Sequence, residues 1–159
     1  MATPTLSPSP TITPSPVFCP AAGAGTVTTT VTIKVTSGQL SIGGASVVVV
    51  YAPDLVRLPA AADDAAVRAR VVDLTGGALF SKGLPNNQDT DGDREPDRLR
   101  LSLASISGVA GDVLKVTFDR CSGGRATTAA DYVCTTADGR AVDGVTHIPV
   151  ACTLAVVSP

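Results

Sequence analysis

Alternation is the strongest signal along this chain. Over residues 27–36, Val31, Ile33 and Val35 alternate with Thr30, Thr32, Lys34 and Thr36, the period of a strand that turns one face to a core and the other to water. The same period-two pattern returns in Leu99, Leu101 and Leu103 against Arg100 and Ser102, and in Leu114, Val116 and Phe118 against Lys115 and Thr117. It closes the chain in Val150, Cys152, Leu154 and Val156. Residues 46–51 differ, because Val47, Val48, Val49, Val50 and Tyr51 run together, which predicts a strand covered on both faces. Gly43-Gly44, Gly76-Gly77, Gly123-Gly124, Asp138-Gly139 and Asp143-Gly144 read as the turns between strands. Many strands with Gly-rich turns predict an all-β fold, an antiparallel β-sandwich. One stretch departs from this. Residues 60–70 are rich in Ala, with Asp63 and Asp64 early and Arg68 and Arg70 late, the charge order of a short helix, and the fold is expected to hold at most one.

Composition narrows what such a sandwich does. Hydrophobic residues make up 44% and charged residues 16%, too apolar for a disordered chain and ample for a core. A net charge of -2 gives no attraction to nucleic acid or to an anionic membrane surface. Aromatic content is 3%, with no Trp, so the core is built of aliphatics and base-stacking platforms are excluded. No apolar run reaches the roughly 18 residues of a transmembrane helix. Residues 1–16 are a Pro/Thr/Ser repeat, an extended spacer that offers hydroxyls for O-glycosylation, and residues 17–159 read as one domain. Met1 leads into Ala2-Thr3-Pro4 rather than a basic and then apolar segment, which suggests a piece of a longer secreted protein. The expected location is extracellular or at the cell surface.

The densest chemistry is acidic. Asn87, Asp89, Asp91, Asp93, Glu95 and Asp97 place a carboxylate or amide at every second position, crowding that a cation relieves. Asn87, Asp89, Asp91 and Gly92 match the opening of a calcium loop, with oxygen ligands at positions one, three and five and Gly at six. A second register through Asp89, Asp91, Asp93 and Asp97 puts Arg94 at the Gly position. In both registers position twelve is an arginine, Arg98 or Arg100, so a complete helix-loop-helix site is ruled out. Two readings stand: a structural calcium ion that orders a long apolar-poor connection, and a solvated acidic turn balanced by Arg94, Arg98 and Arg100.

Cys19, Cys121, Cys134 and Cys152 lack any Cys-x-x-Cys spacing, and with one His the chain has no zinc pattern. Disulfides and an oxidising compartment fit better. The favoured pairing joins Cys121 to Cys134 across the Gly123-Gly124 loop and Cys19 to Cys152, with Cys134 to Cys152 as the competing pair. His147 has no nucleophile motif beside it, and the adjacent acids Asp63 and Asp64 read as solvent-facing. No enzymatic activity is expected.

One family likeness runs through these segments. Val47-Val48-Val49-Val50-Tyr51-Ala52-Pro53-Asp54-Leu55 resembles the strand and Tyr-Asp-Pro-x-x-Leu motif of cohesin domains, with Ala52 in place of the Asp. Residues 99–118 are similar to that family's strand pair around a Ser/Gly loop, and residues 148–157 to its final strand. Residues 60–85 and the cysteines depart from the family pattern. The resemblance implies a jelly-roll-like, non-catalytic sandwich that captures a dockerin-like protein in extracellular polysaccharide degradation. Thr30, Thr32, Lys34, Arg100, Ser102, Lys115 and Thr117 are then candidates for one partner-binding sheet face. A carbohydrate-binding module and an architectural spacer are the alternatives, since related sandwiches bind polysaccharide.

Overall fold

The computed structural model describes Cys19 and residues 27–38, 40–59, 64–78, 86–92 and 96–159. Nine strands and one helix follow one another through these residues: β1 (Thr28–Thr36), β2 (Ile42–Tyr51), β3 (Val56–Arg57), α1 (Asp64–Ala69), β4 (Val71–Asp73), β5 (Asn86–Gln88), β6 (Arg98–Val109), β7 (Gly111–Arg120), β8 (Tyr132–Ala141) and β9 (Ala151–Val157). They form an all-β antiparallel sandwich. One sheet runs β3-β7-β1-β9, with β4 also on β7, and the other runs β5-β6-β2-β8. The Pro/Thr/Ser segment lies outside the described residues.

The alternating patterns do what their period requires. Val31, Ile33 and Val35 of β1 and Leu114, Val116 and Phe118 of β7 are fully buried, facing Val47 and Val49 of β2 and Leu99 and Leu101 of β6. Each such aliphatic contributes about 1.5–3 kcal/mol on leaving water. Three rings close the core at one pole, with Phe118 5.0 Å from Tyr51 and 5.6 Å from Tyr132, centroid to centroid. Helix α1 is six residues long, too short to stand alone, and is held by Val67, which is fully buried. Just after it, Arg70 grips the buried carboxylate of Asp119 through two bonds of 2.9 and 3.1 Å, the fork geometry that lets a buried charge be tolerated.

One expectation is met in part and another is corrected. Strand β2 is buried on both sides at Ser46 to Val49, as its apolar run predicts, and opens to solvent at Val50, which is 39% exposed. Val48 points outward between Arg100 and Thr135. Asp138-Gly139, expected as a turn, sits inside β8 as a bulge. Ser46 pairs Ala137 while Gly44 pairs Arg140, so Ala45 alone faces two residues, and Asp138 takes φ 55° to accommodate the extra residue.

The direction of the strands fixes the poles. Thr28 pairs Asp119 and Thr30 pairs Val157, so the start of β1, the end of β7 and the end of β9 share one pole. A chain of hydroxyls ties them together: Ser158 to Thr29 at 2.9 Å, Thr127 to Thr29 at 3.3 Å, and Thr127 to Tyr132 at 3.1 Å. Arg120 adds a bond to the carbonyl of Pro159. Cys19 is tied to the same pole by its bond to Cys121.

Candidate functional site

The cysteines pair as Cys19–Cys121 and Cys134–Cys152. The favoured pairing of Cys121 with Cys134 and Cys19 with Cys152 is therefore wrong, and the competing pair is the one formed. The reason is topological. β8 and β9 are the same-side edges of the two sheets, so Cys134 and Cys152 meet across the sandwich, whereas Cys121 directly follows β7 at the pole that also holds Cys19. Two disulfides mark an oxidising environment.

The acidic loop lies between β5 and β6, at the pole that holds Cys19 and Pro159, since the amide of Tyr51 donates to the carbonyl of Asp97. Its members are not gathered around one point. Asn87 is 1% exposed and belongs to the interior: its Oδ1 accepts the Tyr51 hydroxyl at 2.6 Å and its Nδ2 donates to the carbonyl of Pro59 at 3.1 Å. Asp97 accepts both the amide and the hydroxyl of Thr90, at 3.1 and 2.7 Å. Asp89 accepts the amide of Gly92 at 2.7 Å, and Asp91 is exposed. Asp93 and Glu95 lie outside the described residues. Among the described residues no three His, Cys, Asp or Glu side chains gather as they would around a metal ion.

The seven candidate partner-binding residues fall on two opposite faces rather than one. Thr30, Thr32 and Lys34 of β1 and Lys115 and Thr117 of β7 point outward from the five-stranded sheet, where Thr30 pairs Thr117 and Thr32 pairs Lys115. Arg100 and Ser102 of β6 point outward from the other sheet. The sequence pattern marked each residue as outward but carried no information on which strands share a sheet.

The register of the four-stranded sheet arranges its outer face in rows. Nearest the pole of Cys19 and Pro159 lies Gln88, Arg98, Val50, Val133, then Asn86, Arg100, Val48, Thr135, then Ser102, Ser46, Ala137, and last Ala104, Gly44, Arg140. Val50 and Val133, direct neighbours, are 39% and 57% exposed. Arg100 is exposed and its Nε donates to the buried Ser46 hydroxyl at 3.1 Å, which fixes the direction of its guanidinium. Val133 was missed by sequence reasoning, which had a strand at Cys134 only through the competing disulfide and read the Asp138-Gly139 bulge of β8 as a turn.

His147 is exposed in the connection after β8, bridged through its backbone to Arg140. The side chains of Asp63 and Asp64, Phe18 and Phe80 are outside the described residues. The other aromatics, Tyr51, Phe118 and Tyr132, are buried. Among the described residues no helix is long and apolar enough to cross a membrane.

Fold and surface together define a disulfide-braced antiparallel β-sandwich module with an arginine-bearing outer face on its four-stranded sheet. No family model matches the chain, and neither a curated protein nor a solved structure is similar to it.

Proposed function

We propose that this chain is a secreted, non-catalytic, cohesin-like binding module of an extracellular protein assembly, and that it holds its partner, a dockerin-like protein, on the outer face of the four-stranded sheet. The observation that supports this is the adjacent exposed pair Val50 and Val133 set beside Arg98 and Arg100. Interface centres favour apolar side chains and Arg, while Lys and acids are depleted there. The five-stranded face offers Thr and Lys at its centre, and its exposed valines, Val72 and Val157, stand apart on β4 and β9 rather than side by side.

Position in the fold supports the same reading. Cys19 and Pro159 share one pole, so any segment joined at either side departs from there, and the domain hangs from its tether. An in-line architectural spacer takes chain in at one pole and passes it out at the other. Polysaccharide capture is disfavoured because the described aromatics all lie in the core, away from any stacking platform.

The test is retention of a partner from the secreted proteins of the parent organism, on immobilised wild type and on a Val50→Asp, Val133→Asp variant of unchanged melting temperature. A partner held by the first and lost by the second is expected. Equal retention, or retardation of the wild type in polysaccharide gels, turns the reading down. A structural calcium ion on Asp89, Asp91, Asp93 and Asp97 belongs to the same proposal and rests on their spacing. Calcium is expected to raise the melting midpoint over that in chelator, an increment that Asp89→Ala, Asp91→Ala removes; an unchanged midpoint leaves a solvated turn.

A further inference from the structure

We infer that the partner of the four-stranded face presents carboxylates together with aliphatic side chains. This rests on the module reading above and names the partner's chemistry. All four rows of the face carry arginines or neutral residues: Arg98, Arg100 and Arg140 project from them, and no acidic residue occupies any of their positions. A face whose described positions carry arginines without acids, on a chain of net charge -2, is a local feature and not a reflection of composition.

The nearby carboxylates of the described residues lie off the rows. Asp97 is engaged by Thr90 and Asp89 by Gly92, both in the loop at the pole of Cys19 and Pro159, where Asp91 is also exposed. Asp131 is bound by Arg125 before β8 begins, Asp143 is taken up by Val145 and Thr146 in the turn after it, and Asp138 stands at the bulge beside Arg140. The acidic groups of the described residues therefore rim the face at its ends and leave its centre positive.

Two further observations give the cationic centre a definite chemistry. Arg98 pairs Val50 across the strands, which sets a second positive charge on the same face as Arg100 and beside the aliphatic pair. Arg100 is held by Ser46, so part of the ordering cost of a bidentate carboxylate contact is already met by the fold. Val50 and Val133, on the same row as Arg98, supply the aliphatic seat next to the charge.

The probe is a twelve-residue peptide of Ser-Glu-Ser-Val repeats, which puts Glu and Val on one side when extended, with Lys and Gln replacing Glu in two controls. Amide shifts of the full chain on titration report where each binds. The Glu peptide is expected to move Val50, Arg98, Arg100 and Val133. Its affinity is expected to fall about tenfold in Arg98→Gln, Arg100→Gln and again on raising salt. Arg100→Gln alone, at an exposed position, serves if the double variant melts early. Equal binding of the Lys or Gln peptide, shifts elsewhere, or no binding by any peptide overturns the inference. Failure of the module reading looks different. A natural partner lost on Val50→Asp, Val133→Asp but kept at high salt and in the arginine variants leaves the face standing and removes its acidic partner. A partner indifferent to both sets removes the face itself.

Discussion

Asn87 shows how far a residue's role depends on its register. By sequence it opens an acidic run; in the fold it pairs Leu99, so its side chain turns inward while its neighbours face water. The Tyr51 hydroxyl then meets its Oδ1 in the core. Replacing Tyr51 by Phe keeps the ring against Phe118 and removes the donor, leaving a buried carbonyl oxygen short of a bond, a cost of about 1–3 kcal/mol. Thermal melts are expected to show the midpoint several degrees lower, and an unchanged midpoint would mean that the bond adds no net stability. Asp131 makes a second residue-scale prediction. Arg125 and the Thr128 amide hold its carboxylate well below the usual range. A lowered folded-state pKa gives stability that is present above the unfolded value, about 3.9, and is lost as pH falls through the folded one. Melts taken from neutral to acid are expected to fall less steeply below about pH 4 in Asp131→Asn than in wild type.

At the scale of elements, strands with clean alternation were legible and short or broken ones were not. β1, β6, β7 and β9 could be read from Val, Leu and Ile at every second position, because period two has one physical cause. β3, β4 and β5 are two or three residues long, too brief to show a period, and owe their existence to the strand beside them. Beyond Cys134, β8 was hidden by its own bulge. Gly139 there has no room for a side chain: an added Cβ would lie 2.3 Å from the Ile148 carbonyl oxygen and 2.7 Å from Val150 Cγ2. Gly139→Ala is expected to cost roughly 1–3 kcal/mol by forcing the following segment off the strand, measured as a lower urea midpoint. Gly123→Ala meets nothing within 4 Å, so any loss there reflects its φ of 80° alone, and the comparison separates crowding from backbone strain.

For the whole molecule, the sequence specified two layers and their core but neither the sheet order nor the disulfides, because both depend on which distant strands become neighbours. That is also why seven outward residues were assigned to one face and belong to two. The cross-links differ in what they constrain. Cys19–Cys121 spans 102 residues of sequence and Cys134–Cys152 spans 18; closing loops of those sizes restricts the unfolded chain by about 4.7 and about 3 kcal/mol respectively. Cys19→Ser, Cys121→Ser is thus expected to lower stability more than Cys134→Ser, Cys152→Ser in urea titrations, and the opposite order would show that native contacts, not chain entropy, dominate.

The same two bonds govern what happens under tension. A pull between the chain before Cys19 and Pro159 does not run through the backbone in sequence: it crosses from Cys19 to Cys121, follows residues 122–134, crosses from Cys134 to Cys152 and leaves along 153–159. Residues 20–120, which include β1, β2, β5, β6 and β7, lie off that load path. Three of the four strands that build the arginine face are covalently bypassed, and so is β8 beyond Cys134, so a tether drawn tight by a moving partner or a flowing medium strains residues 122–134 and β9 from Cys152 on, while the surface built on β2, β5 and β6 keeps its shape.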